Sequence, residues 1–271
     1  MCLRTDDTKP SPLIAYTDVS KIFAGRGAAR VVAVDGVSLD VAQGEFLAIV
    51  GGSGSGKTTL LRLANRLIEA DQGRIAVEGE DVRALDPVAL RRRIGYVFQS
   101  GALFPHISVA GNIGVTPKLL GWPAAEIAAR VDELLELVRL DPSHRDRLPH
   151  ELSGGQRQRV GVARALAAKP RIVLMDEPFG ALDPLTRDAL RDDHRALHDK
   201  LALTTVMITH DMAEALLLAD RIAVMHAGKL LALGTPAELS KSGDPYVAEL
   251  LRTPRREAER LNAVLPKDGA A

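Results

Sequence analysis

The stretch FLAIVGGSGSGKT, Phe46–Thr58, decides the fold. Five apolar residues, Phe46–Val50, end in a glycine-rich turn. After it, Leu60, Leu63, Ala64, Leu67 and Ile68 fall at helical spacing. Strand, turn and helix in this order are the context that the pattern G-x-x-x-x-G-K-[ST] requires, and Gly51–Thr58 matches that pattern. Glycines let backbone N–H groups converge on phosphate oxygens, and a helix N-terminus adds favourable partial charge. Gly51, Gly52, Ser53, Gly54, Ser55, Gly56 and Thr59 are the expected cradle. Lys57 is expected to reach the β- and γ-phosphates, and the Thr58 hydroxyl to ligate Mg²⁺. A glycine-rich turn that binds nothing is the competing reading, and it leaves the flanking strand and helix unexplained.

Further strand candidates end in chemistry. RIVLMDEP delivers Asp176 and Glu177 to a strand's C-terminal end, where α/β proteins bind ligands. Alone, such a pair reads equally well as solvated acids. Beside a phosphate loop, Asp176 is expected to hold Mg²⁺, through water, and Glu177 to polarise the attacking water. TTVMITHD brings His210 to the same edge, where a γ-phosphate contact competes with an ordinary surface histidine. RIGYVFQ ends at Gln99, whose amide oxygen can reach Mg²⁺ or the attacking water. The other six histidines read as structural or surface residues.

These runs alternate with helical stretches, which predicts an α/β fold with a mainly parallel sheet. LIAY, VVAVDGVSLDV and RIAVEG read as further β-type runs. The segment from about residue 100 to 165 reads as a helical insertion, carrying the amphipathic run Ala124–Leu140. The expected domain covers residues 13–240, followed by a helical, charged tail over 241–271 that ends in the loose LPKDGAA. The polar first twelve residues are expected to fray.

The bulk numbers are ordinary. The chain has 271 residues, 46% hydrophobic and 26% charged, with a formal net charge of +0. No global field draws it to nucleic acid. Aromatics at 3% argue against base-stacking platforms. Cys2 is the only cysteine, so no internal disulfide forms, which fits a reducing compartment. No leader-type apolar segment and no membrane-length run is present, so the reading is a cytosolic protein that docks on a membrane partner.

ELSGGQRQRVGVARAL, Glu151–Leu166, is the odd helix start. Ser153 and Gln156 form a capping-box pattern, yet Gly154 and Gly155 stand between them. Arg157 and Arg159 place positive charge in the first turn, against the helix dipole. A plain capping box accounts for Ser153 and Gln156 but not for two consecutive glycines.

With GGSGSGKT, Gln99, LSGGQ (Leu152–Gln156), LMDEP, ALD (Ala181–Asp183) and THD (Thr209–Asp211) in one chain, the sequence resembles an ATP-binding cassette (ABC) transporter ATPase from about Leu13 to Leu239. The resemblance implies a P-loop NTPase fold of ABC type: a mainly parallel core sheet, an antiparallel β subdomain and a helical insertion. It implies ATP and Mg²⁺, and a head-to-tail homodimer that sandwiches two nucleotides. Ser153 and Gly155 would then present a hydroxyl and a bare N–H to the γ-phosphate held by the other copy, with Gly154 and Gln156 in the same binding segment. Asp183 would belong to the loop coupling the two sites. Phe23 would stack on adenine where Tyr is common, in competition with a core Phe, and Gly52 stands where Pro or Glu is often found.

NRLIEADQGRIAVEGEDV, DPVALRRRIGYVFQ, GALFPHISVAGNI, VTPKLLGWP and PHELSGGQRQR resemble the importer subfamily for quaternary-amine osmoprotectants such as glycine betaine and choline. That implies transmembrane permease subunits as partners, an external solute-binding protein acting through them, a peripheral place on the cytoplasmic face of the inner membrane, and no nucleic acid. Phe104, Pro105 and Ile107 would meet the permease or else belong to the insertion core. Many relatives carry a C-terminal pair of regulatory domains; the tail here is too short for one, so ionic-strength sensing by that device is expected to be absent. The rival readings are an exporter or lipid-trafficking ATPase with the same catalytic motifs, a soluble ABC-type protein on DNA or ribosomes, and a non-hydrolysing nucleotide-binding regulator.

Overall fold

A computed structural model describes residues 12–24, 30–99 and 101–264. Cys2, most of the polar N-terminal run, Ser100 and the terminal LPKDGAA lie outside the described residues. The chain opens with β1 (Ile14–Ala24), β2 (Arg30–Val41), β3 (Phe46–Val50), α1 (Lys57–Ala64), β4 (Gln72–Val77), β5 (Glu80–Asp81), α2 (Pro87–Arg93) and β6 (Ile94–Val97). The helices α3 (Val109–Leu119), α4 (Ala124–Leu137) and α5 (Gly154–Leu166) follow, with two 3-10 turns between α4 and α5. Next come β7 (Ile172–Asp176), α6 (Pro184–Leu201), β8 (Thr204–Thr209), α7 (Met212–Leu218), β9 (Arg221–His226), β10 (Lys229–Gly234), α8 (Pro236–Leu239) and α9 (Pro245–Val264).

Six strands form the core sheet in the order β10-β9-β3-β8-β7-β6. All pairs are parallel except β10 on β9. Strands β3 and β8 are buried along their whole length, because the sheet is covered on both faces. Side chains alternate between the faces. Phe46, Ala48 and Val50 point into a core built with α3–α7 and the first turns of α9; Leu47 and Ile49 point into a second core shared with α1 and the antiparallel sheet. That second sheet has the order β2-β1-β4-β5. The mainly parallel sheet, the antiparallel sheet and the inserted helices are the α/β architecture that the sequence predicts.

Two boundaries differ from the periodicity. Helix α1 ends at Ala64, although Leu67 and Ile68 continue the helical pattern. Arg66 turns left-handed with φ 54°, and the N–H groups of Leu67 and Ile68 fold back onto the Arg62 carbonyl at 3.0 and 3.4 Å. Strand β6 stops at Val97, so Gln99 stands two residues past the strand rather than on its end. Within the RRR run, Arg91 is not merely solvated: its guanidinium donates to the Arg66 carbonyl at 2.6 Å.

Register places the site. Val50 aligns with Thr209, Asp176 with Ile208, and Val97 with Met175. The C-terminal ends of β3, β8, β7 and β6 therefore stand in one row, and the residues after them share one edge.

Candidate functional site

The turn after β3 is wedged between two strands. A Cβ on Gly56 would lie 2.1 Å from the Ala33 carbonyl oxygen of β2, and Gly56 is left-handed with φ 99°. Only glycine satisfies both conditions. Gly56 is also the N-cap of α1, so no side chain caps the helix, and its first turn carries no acidic residue. Lys57 folds back over the loop, donating from Nζ to the Gly51 and Gly52 carbonyls at 2.7 and 2.9 Å and to Ser55 Oγ at 3.4 Å. Burial lowers the Lys57 pKa, while the nearby Glu177 and Asp176 carboxylates oppose that shift. Gly52, Ser53 and Gly54 are exposed at the mouth, Ser55 is buried in the loop, and Thr58 and Thr59 are half-buried on α1. An uncapped helix end, an open glycine turn and a cation fit a polyphosphate.

The acids stand opposite. Thr58 Oγ1 donates to Asp176 Oδ1 at 3.5 Å. The other oxygen, Oδ2, accepts from the Tyr96 hydroxyl at 3.2 Å and pairs with Arg62 at 3.6 Å. Burial, with the Asp176 charge adding to it, pushes the Tyr96 pKa up to about 12, so Tyr96 stays a donor. Glu177 follows the strand end in a left-handed conformation, φ 45°, a costly backbone for a residue with a Cβ. Its N–H donates to the Ile208 carbonyl at 3.0 Å. Its Oε2 accepts from Gln99 Nε2 at 3.3 Å and from His210 Nδ1 at 3.2 Å. An ionised carboxylate only accepts, so this contact is a hydrogen bond in the form of His210 that is protonated on Nδ1. Gln99 keeps its amide oxygen for another partner. The donors beside the loop are one hydroxyl, one carboxylate and one amide oxygen, a hard set that suits a Mg²⁺ shared with phosphates and water. Among the described residues no group of three His, Cys, Asp or Glu gathers to hold a metal without such help.

Phe23 is on β1, paired with Val31 of β2, and is 39% exposed with Lys21 Nζ 5.4 Å from its ring centroid. It is therefore not a core phenylalanine. It shares a sheet with Ala33, which touches the loop.

The Ser153–Gln156 segment is not part of this cluster. Ser153 caps α5 by accepting from the Gln156 N–H at 3.2 Å, and Gln156 Oε1 accepts from the Ser153 N–H at 2.8 Å. The two glycines differ. A Cβ on Gly155 would strike Thr186 Cγ2 at 2.4 Å, so packing on α6 demands glycine there. A Cβ on Gly154 would meet nothing closer than 3.8 Å. The arginines have local partners: Arg157 donates to the Leu152 carbonyl, and Arg159 pairs with the buried Asp193 at 2.7 Å. No external anion is needed to explain them. Asp183 caps α6, accepting from the Thr186 N–H at 3.0 Å, and hydrogen bonds from Thr186 lower its pKa.

Sequence reasoning missed Tyr96 and Arg62. Neither stands at a strand end; Tyr96 reaches Asp176 across 80 residues of sequence. No sequence signal marks either, because the pairing of β6 with the strand carrying Asp176 is visible only in the fold.

Comparison with known proteins adds identity to geometry. A family model described as ABC transporter matches residues 34–180. The chain is 49% identical over 240 residues to the glycine betaine/carnitine/choline transport ATP-binding protein OpuCA of Bacillus subtilis, covering 88% of this chain and 62% of that one. It is 50% identical over 238 residues to the glycine betaine uptake system ATP-binding protein YehX of Escherichia coli, covering 88% and 76%. It thus spans less than two thirds of the OpuCA length. Among solved structures, the dimeric post-hydrolysis state of the ATP-binding cassette MJ0796, bound to ADP and Pi, superposes with a TM-score of 0.74 at 30% identity, covering 82% of this chain and 98% of that one. CbiO1 from Clostridium perfringens, part of the ABC transporter complex cbiONQ, gives 0.77 at 26%, covering 94% and 100%. An uncapped phosphate loop, a carboxylate hub on the same sheet edge and these likenesses lead to one conclusion: the chain belongs to the ABC transporter family of ATP-binding proteins.

Proposed function

We propose that this chain is the ATP-hydrolysing subunit of an ABC importer for a small quaternary-amine osmoprotectant such as glycine betaine or choline. The observation that carries the ATPase reading is Glu177, strained at φ 45° and bonded to both Gln99 and His210 at the edge where the phosphate loop opens. The relatives' names carry the cargo.

In this reading the N–H groups of Ser53–Thr59 and Lys57 bind the ATP phosphates, and Phe23 supports adenine. Mg²⁺, when bound, neutralises phosphate charge; Thr58, Asp176 and Gln99 would hold it. Tyr96 and Arg62 orient Asp176. Glu177 accepts the proton of the attacking water, and His210 holds that carboxylate in place through Nδ1; its Nε2 contacts the γ-phosphate as a donor when that nitrogen is protonated as well. Ser153, Gly154, Gly155, Gln156 and Asp183 serve the partner copy of a head-to-tail homodimer. The domain spans residues 13–240, with the insertion over about 100–165 and the tail over 241–271.

The partners are transmembrane permease subunits, with a solute-binding protein acting through them, at the cytoplasmic face of the cell membrane. No described helix is long and apolar enough to cross a membrane. A candidate permease contact is the loop of Phe104, Pro105 and Ile107. Phe104 is 45% exposed, and buried Asn112 staples the loop through the Phe104 N–H and the carbonyls of Phe104, Ile107 and Ser108.

Uptake of labelled glycine betaine and choline tests the reading, in cells with and without this gene, at low and high osmolarity. The expected result is a loss restored by the wild type and not by Glu177→Gln. Unchanged uptake, with redundant importers removed, would overturn the cargo; absence of phosphate release by the purified chain with its permease would overturn the ATPase.

A further inference from the structure

The tail helix touches the phosphate loop. The Gly52 N–H donates to the Tyr246 hydroxyl at 3.0 Å, across 194 residues of sequence. The same peptide unit presents the Gly51 carbonyl, which accepts from Lys57 Nζ at 2.7 Å. One peptide is thus held by α9 on one side and holds the loop lysine on the other.

The position of Tyr246 is fixed from several directions. Asp244 accepts from the Tyr246 and Val247 N–H groups at 2.8 and 3.1 Å, anchoring the first turn of α9. Val247 is fully buried, and Leu250 and Leu251 pack on the same core. The Tyr246 ring lies against His226, the last residue of β9, with centroids 4.3 Å apart. From residue 255 to 264 the same helix is exposed throughout. The docked end therefore reaches the loop while the other end stands in solvent. Packing needs only the ring; the hydroxyl is used on the loop.

We propose that Tyr246 is a positioning residue of the nucleotide site: its hydroxyl pins the Gly51–Gly52 peptide and thereby sets the lysine that meets the phosphates. This rests on the reading of Gly51–Thr58 as a nucleotide cradle. It gives the tail helix a part in that site, and a route by which strain on α9 changes nucleotide affinity.

Tyr246→Phe in the full chain tests it, since the ring and its stacking survive and only the hydroxyl goes. A neutral hydrogen bond predicts a three- to tenfold rise, roughly, in the ATP dissociation constant and in KM for MgATP. Turnover number should fall by less than affinity does, and the thermal midpoint by no more than a few degrees. Amide exchange over residues 51–58 should quicken while β3 and β8 stay protected. Unchanged affinity and loop exchange would overturn the proposal, as would a loss of turnover or stability with affinity intact. Wild-type ATP binding is measured alongside: if it is present, such a failure falls on Tyr246 alone, and if it is absent, the nucleotide reading itself falls.

Discussion

Two helix N-termini in this molecule carry clustered glycines, α1 in the loop before it and α5 in its own first turn, and they are finished differently. The α1 end is unfinished. Its N-cap is a left-handed glycine, no side chain satisfies its N–H groups, and a lysine stands beside it. The α5 end is closed. Ser153 and Gln156 satisfy each other in a reciprocal box, and its arginines bond to Leu152 and Asp193. An open end asks for a ligand within the same chain. A closed end offers only what its cap does not consume: the Ser153 hydroxyl proton and the bare flank of Gly154. We propose that α5 is completed by a nucleotide on another copy, whereas α1 binds its own.

The largest expected effect lies at the open end. Lys57→Ala removes the cation beside the uncapped N–H groups. Turnover should fall on the order of a hundredfold or more in a phosphate-release assay, with no loss in thermal midpoint. Retained turnover would mean that the α1 end is not the phosphate site.

At the closed end the neighbouring glycines should separate stability from function. Gly155→Ala forces a methyl into Thr186 and should cost about 1–3 kcal/mol in denaturant unfolding. Thr186→Ser, which deletes the struck methyl, should restore most of it. Failure of that rescue would place the cost elsewhere.

Acid should act on the same end. Beneath α5, His194 of α6 is buried, donates from Nδ1 to the Leu190 carbonyl at 2.6 Å, and has no partner for Nε2 among the described residues. Its ring meets Phe179 edge-on at 5.0 Å. Burial lowers its pKa to about 4. The unfolded chain then binds a proton that the folded one refuses, so stability is full above about pH 6.5 and falls as the pH drops toward about 4. About 1.5 kcal/mol should go between pH 6.5 and 5. His194→Leu should flatten that slope; an unchanged slope would assign it to other groups.

The smallest effect on stability belongs to Gly154→Ala, which meets nothing closer than 3.8 Å and gains helix propensity, a gain of at most about 1 kcal/mol. Turnover should nevertheless drop, because the methyl stands where a second copy's nucleotide would approach.

Legibility follows the same divide. Strands β3, β7 and β8 were readable because burial on both faces leaves short unbroken apolar runs, and each such run handed its next residues to the site. The ABC resemblance supplied the order of these pieces. The Tyr96–Asp176 and Tyr246–Gly52 bonds were not readable, because they join residues 80 and 194 positions apart and neither tyrosine interrupts an ordinary pattern. The periodicity also overran α1, since Leu67 and Ile68 are apolar for reasons other than helix. The glycine pair shows the limit best: two identical letters, one required by Thr186 and one by nothing among the described residues.

The most direct test of the contrast is the ATP-dependent mass of Glu177→Gln in solution, alone and combined with Gly154→Asp. An aspartate in the first turn favours the α5 dipole yet repels an approaching phosphate. The single variant should bind ATP and form a dimer. The double variant should bind ATP equally well as a monomer. A dimer that persists in the double variant, or an ATP affinity that falls with it, would contradict the claim that α1 serves its own chain and α5 its partner.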